Sequence, residues 1–241
     1  MPHATIELWL MALVGSLAGA WALLDSAMHL LLSNNLLKGV PFATAILLLW
    51  AAPRAERQEE ERQSVLAILL ATMLALVMAR VVQNGFESPR PLMVPELAAM
   101  YPPSFHEYRL DLNSFPSDHM ALYMTIALGV YQLRRRLGIV LMAWAVGGVG
   151  FSRLYAGYHY PVDILGGMAI AAVSLALVSK TRVWLHPLLR KVAQLAARYP
   201  AGAIATMFFL CFQIATVFDT IREIGEFGRV GVRLVLTAVL Q

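Results

Sequence analysis

The chain has 241 residues, of which 59% are hydrophobic and only 14% charged, and its mean hydropathy is +0.64. Such a composition excludes an ordinary soluble domain and a disordered chain, and marks a polytopic membrane protein. The formal net charge of +4 and isoelectric point near 9.4 then signify basic cytoplasmic loops facing anionic lipid, and no nucleic-acid partner.

Taken in chain order, the first apolar run is Ile6–Leu24, which can continue through His29 to Leu32. No Lys or Arg precedes Lys38, so this run lacks the basic start of a cleaved signal peptide and is read as a retained span. Asp25 and His29 near its end are expected to find polar partners on other helices. The remaining runs of near-spanning length are Leu37–Ala52, Val65–Val82, His119–Leu133, Gly138–Phe151, Val162–Ser179 and Ala203–Phe218. Between them lie three charged stretches, Arg54–Gln63, Arg134-Arg135-Arg136 and Lys180 to Arg198. The positive-inside rule assigns these to the cytoplasm, which puts 83–118 and 152–161 together on the opposite face. The loop over 83–118 holds Pro89, Pro91, Pro95, Pro102 and Pro103 with Tyr101, Phe105, Tyr108 and Phe115, and is expected to form a partly ordered cap. Asp219 to Gln241 alternates charged and apolar residues, as an interfacial amphipathic helix does. Glycines at 147, 148, 150, 166 and 167 lie in apolar runs and point to close helix packing, and the lone Cys211 to packing as well. The expected fold is an all-α transmembrane bundle, one membrane domain over residues 1–241 with a core of about 65–179 and a C-terminal extension over 180–241.

Three polar constellations share the outer face. In Phe115-Pro116-Ser117-Asp118-His119, Ser117 is a good N-cap ahead of an apolar helix whose free backbone amides attract anions. In Ser152-Arg153-Leu154-Tyr155-Ala156-Gly157-Tyr158-His159-Tyr160-Pro161-Val162-Asp163, Pro161 opens a helix that places His159 just before it and Asp163 in its first turn. A carboxylate on one ring nitrogen of His159 fixes the tautomer and strengthens the other nitrogen as a nucleophile. In Glu87-Ser88-Pro89-Arg90-Pro91, Arg90 sits between prolines, where a guanidinium can clamp phosphate oxygens. An arginine or histidine alone at a membrane edge is usually interfacial. The three sets together indicate a phosphate site. His106 and Arg109 lack motif support and are assigned no role.

These constellations, in this order, resemble the type 2 phosphatidic acid phosphatase superfamily, whose pattern is Lys, six residues, Arg-Pro; Pro-Ser-Gly-His; and Ser-Arg, five residues, His, three residues, Asp. The resemblance covers roughly Val65 to Ser179, and the third motif matches throughout. It implies six core helices, here with one further C-terminal span, and no metal or other cofactor. It also implies that His159 attacks phosphorus to give a phosphohistidine, that Asp163 orients it and that His119 protonates the leaving oxygen. Arg90, Arg153, Ser117 and the backbone amide of Asp118 would hold the phosphoryl oxygens, with Ser152 and Gln83 beside them. Two positions depart from the pattern. Gln83 stands where the family has Lys, and Arg80, three residues earlier, is a candidate replacement cation. Asp118 stands in place of Gly, which leaves three consequences open: weaker phosphate binding, an ion pair with an arginine, or a leaving group that needs a second acid.

The expected activity is a metal-independent lipid phosphatase in a bacterial inner membrane with its site on the periplasmic face, acting on undecaprenyl pyrophosphate. The alternatives are a phospholipid phosphatase acting on phosphatidic acid or phosphatidylglycerol phosphate, a lipid phosphotransferase, and an inactive lipid-binding relative. A transporter would show ionisable residues in mid-span or paired broken helices, and the sequence displays neither clearly.

Overall fold

The computed structural model describes residues 5–106 and 113–218. It is built from α-helices: α1 (Thr5–Gly15), α2 (Ala22–Ser33), α3 (Asn35–Lys38), α4 (Val40–Ala51), α5 (Gln58–Gly85), α6 (Pro95–Ala98), α7 (Asp118–Leu133), α8 (Arg135–Trp144), α9 (Phe151–Tyr155), α10 (Pro161–Lys180), α11 (Arg182–Arg198) and α12 (Pro200–Ala215). Among the described residues, three helical stretches are long and apolar enough to cross a membrane: Ala55–Gly85, Arg135–Tyr155 and Pro161–Lys180. α11 and α12 together qualify as a fourth, but they meet at a bend of 118°.

The centre of the bundle is α7, packed by α5, α8 and α10. Its sequence explains the position. Met120 to Ala127 is an unbroken buried run of apolar residues and small hydroxyls, with no polar face to turn outward. Thr125 meets its own need for a partner by donating to the Ala121 carbonyl at 2.6 Å. At one end of the bundle, the turn between α7 and α8 is tied to the start of α5. Arg134 donates to both oxygens of the buried Glu61 at 2.8 and 2.9 Å, and the Arg54 amide donates to the same carboxylate at 3.0 Å. At the other end α10 begins against the start of α7, where a Cβ on Gly167 would lie 2.5 Å from the Ser117 carbonyl oxygen. Only glycine permits that approach, and it is what brings the two histidine motifs together.

Four elements differ from the sequence expectation. Ile6–Leu24 is not one span: α1 ends at Gly15, and the chain turns through Gly19 at φ +82° before α2. α1 instead lies across the site end, where Met11 packs with Leu97, Tyr101 and Tyr160, and α2 takes over the run to Ser33. Asp25 lies 2.7 Å from the Tyr155 hydroxyl and so finds the expected polar partner on another helix, while His29 stacks on the Phe105 ring at 4.5 Å. The charged stretch over 54–63 is largely the first turns of α5, with Glu59, Glu60 and Glu61 placed favourably for the helix dipole. The basic stretch after Lys180 is helix α11, which rests on α5 and presents Val183, Trp184, Leu188 and Leu195 outward. Gly138–Phe151 belongs to a longer helical path over 135–155 whose middle, Ala145–Gly150, is a π-helical segment. The amphipathic stretch from Asp219 to Gln241, with Tyr108 and Arg109, lies outside the described residues.

Candidate active site

α7, α9 and α10 deliver their functional groups to one end of the bundle. Ser117 caps α7, its hydroxyl accepting from the Met120 amide at 3.5 Å, and its own amide donates to the Asp163 carbonyl at 3.0 Å. That bond joins the start of α7 to the start of α10. Pro161 opens α10, and Asp163 in its first turn turns back over the preceding loop. The Asp163 Oδ2 accepts the Tyr160 amide at 2.8 Å and stands 3.3 Å from Nδ1 of His159. With the carboxylate there, Nδ1 carries the ring proton and Nε2 keeps its lone pair. Nε2 faces the Arg90 guanidinium, whose Nη1 is 3.3 Å away and also donates to the Tyr158 carbonyl at 2.9 Å.

His159 and Asp163 are fully buried. Burial holds the His159 pKa below the ordinary histidine value, against the pull of the Asp163 hydrogen bond and with the help of Arg90 and Arg153. The imidazole is thus kept neutral, the form a nucleophile needs. Arg153 is 7% exposed, and its Nε has no hydrogen-bond partner among the described residues. A buried guanidinium with a donor to spare is an arrangement that an anion completes.

The departure at Asp118 has a definite consequence. Its Oδ1 accepts from the His119 amide at 2.8 Å and lies 2.7 Å from His119 Nδ1, while its Oδ2 stands 3.8 Å from Arg80 Nη2. Of the three outcomes left open by the sequence, the pairing with an arginine is the one seen. Asp118 also does for His119 what Asp163 does for His159: it fixes the tautomer and leaves Nε2 available. Each histidine therefore has its own carboxylate. Arg80 reaches the site through this ion pair.

Two sequence candidates have side chains engaged elsewhere. The Gln83 Nε2 donates to the Asn113 carbonyl at 3.0 Å, and the Ser152 hydroxyl donates to the Val149 carbonyl at 2.9 Å within its own helix. Asn113 is the residue that sequence reasoning missed. Its side chain donates to the Gln83 carbonyl at 3.0 Å and accepts from the Ser88 amide at 3.2 Å, so it clamps the end of α5 to the segment that carries Arg90. A single loop asparagine has no periodicity or spacing that would reveal this. His106 is exposed. Among the described residues no group of three or more His, Cys, Asp or Glu side chains is gathered to hold a metal ion.

The sequence model of the PAP2 superfamily matches residues 64–187, a range that includes every motif residue of the site. Bacitracin transport permease protein BcrC of Bacillus licheniformis is 26% identical over 144 residues, covering 59% of this chain and 66% of that protein. Undecaprenyl-diphosphatase BcrC of Bacillus subtilis (strain 168) is 28% identical over 134 residues, covering 56% and 64%. The chain thus spans slightly less than two thirds of the length of these relatives. The crystal structure of Aquifex aeolicus LpxE superposes with a TM-score of 0.55 at 23% identity, covering 75% of this chain and 98% of that one, a likeness of fold.

Proposed function

The chain belongs to the PAP2 superfamily, and on that premise we propose that it is a lipid phosphatase of a bacterial inner membrane, with its site at the periplasmic face. One observation carries the reading: a buried, neutral histidine nitrogen, His159 Nε2, is oriented by Asp163 from behind and faced by the Arg90 guanidinium. Membrane embedding is supported by the apolar side chains that the bundle turns outward, among them Val81, Val140, Leu165 and Phe208.

In the proposed reaction the His159 Nε2 lone pair forms a bond to phosphorus, and the P–O bond to the leaving group breaks, its electron pair going to that oxygen. His119 Nε2, protonated at that stage, hands its proton to the leaving oxygen. Arg90, Arg153, Ser117 and the amides at the start of α7 hold the non-bridging oxygens. They stabilise the spread charge without calling for a metal ion. Water, its proton taken by His119, then displaces phosphate from His159 and restores both imidazoles.

The substrate best supported is a lipid diphosphate, with undecaprenyl pyrophosphate first, because a curated relative bears that activity in its name. The test is orthophosphate release by detergent-purified protein from undecaprenyl pyrophosphate, phosphatidic acid and phosphatidylglycerol phosphate, with and without EDTA, beside His159→Ala. EDTA-resistant release, greatest from the diphosphate and lost in the variant, is the expected result. Comparable release by His159→Ala, or none from any lipid, would sink the reading.

A further inference from the structure

α2 and α4 are short apolar helices that follow one another in the chain. α2 packs against α9 and α4 against α8, the two ends of the helical path over 135–155. Between them the helix is interrupted at Asn34–Gly39, where the single turn α3 ends in Lys38. A break in the backbone and a buried ionisable side chain both carry a cost, and they persist where they line a site. Lys38 is 7% exposed, and its Nζ donates to the Leu32 carbonyl at 3.1 Å, one of the acceptors that the end of α2 leaves over.

The break is fastened close to the proposed acid. The Trp144 indole donates to the Leu37 carbonyl at 2.8 Å, and a Cβ on Gly39 would stand 2.7 Å from the Tyr123 hydroxyl. The Tyr123 ring in turn meets the His119 ring edge-on at 6.1 Å. Through Gly39 and Tyr123 the break that carries Lys38 is joined to the His119 side of the site, where the leaving group departs.

Resting on the phosphatase reading above, we propose that Lys38 binds the non-reacting phosphate of a lipid diphosphate and makes the site selective for diphosphates over monophosphates. When a monophosphate is cleaved, the leaving group is an alcohol with no charge to pair. When a diphosphate is cleaved, the bond from the terminal phosphorus to the bridging oxygen breaks, His119 supplies the proton to that oxygen, and the departing lipid monophosphate still carries negative charge on its other oxygens. A cation beside His119 favours only the second case. It also accounts for Gln83: the cation absent from the attacked phosphate's side is matched by one on the leaving side, carried on a helix outside the matched family region.

The test compares farnesyl diphosphate with farnesyl monophosphate, which share one tail, in wild type, Lys38→Met and Lys38→Arg. The diphosphate-to-monophosphate ratio of kcat/KM should fall about tenfold or more in Lys38→Met, the size of a lost charge-assisted contact, and recover largely in Lys38→Arg. A second arm measures binding of inorganic pyrophosphate against orthophosphate by thermal shift, and Lys38→Met should lose the preference for pyrophosphate. If Lys38 only caps α2, both substrates and both anions fall in proportion, and that result overturns the proposal, as does an unchanged ratio. Wild-type protein that turns over neither lipid would refute the phosphatase reading instead, and the pyrophosphate arm would then decide the role of Lys38 alone.

Discussion

The bundle carries a polar cluster at each end, and the two are built on opposite plans. At one end Glu61 is enclosed by Arg134, which donates to both its oxygens, and by the Arg54 amide. The charges there are matched among themselves, and the cluster fastens α5 to the turn between α7 and α8. At the other end Arg90 and Arg153 are buried, while the carboxylates Asp118 and Asp163 each hold a histidine. The Arg153 Nε has no hydrogen-bond partner among the described residues, and on the proposed reading an anion from outside completes the site. A closed ion-pair cluster is architecture, and an open one is a binding site.

Changing one carboxylate in each plan separates the two roles. The largest effect is expected for Asp163→Asn, which keeps the shape but lets His159 adopt the wrong tautomer. Its kcat should fall about a hundredfold or more, by analogy with the orienting carboxylate of other catalytic histidines, and its thermal midpoint should change little. Asp118→Asn should cost less, about tenfold in kcat, below the hundredfold or more of full acid–base assistance because His119 itself remains. A leaving group that needs no acid, such as an activated aryl phosphate, should restore most of the loss in first-turnover release of the alcohol, while the water step that uses His119 as base stays slow. Failure of the aryl phosphate to restore it would show that Asp118 serves the attacked phosphate and not His119.

Glu61→Gln should do the reverse, lowering stability by about 1–3 kcal/mol, less than for a wholly buried pair because Arg134 is partly exposed. Its kcat, measured below the unfolding transition, should stay near wild type. The smallest effect concerns pH. Because burial lowers the His159 pKa, the neutral nucleophile persists as pH falls through the ordinary histidine range and is lost only below it. The acid limb of kcat/KM assigned to His159 should therefore lie below pH 6.5, the ordinary histidine value. A limb at or above that value would mean that His159 is not enclosed as described.

Much of the site was legible because the relevant signals are local. Ser117 announces an N-cap and Pro161 a first turn, and both do as their types predict. The spacing of Arg153, His159 and Asp163 carries its geometry with it. The break at Gly19 was not legible, since a glycine in an apolar run leaves hydropathy almost unchanged, and only its positive φ beneath Pro102 shows the turn. The helical nature of α11 was hidden by counting charge and not period. Arg80, Asn113 and Lys38 act through contacts with residues far along the chain or on other helices. No pattern within their own segments reports such contacts, so the ion pair to Asp118 stayed one option among three. Lys38 stood at the start of an apolar run, and nothing there reported that it closes the single turn α3 ahead of α4.

The central claim is that His159 takes the phosphoryl group, and its most direct test uses the His119→Ala variant with an activated aryl phosphate. That substrate needs no acid to leave, and the variant lacks the base that would draw water onto the intermediate. Rapid alkaline denaturation followed by mass spectrometry of the peptides should find one phosphoryl group, on His159. Aryl alcohol release with the phosphoryl group on another residue, or on none, would contradict the account.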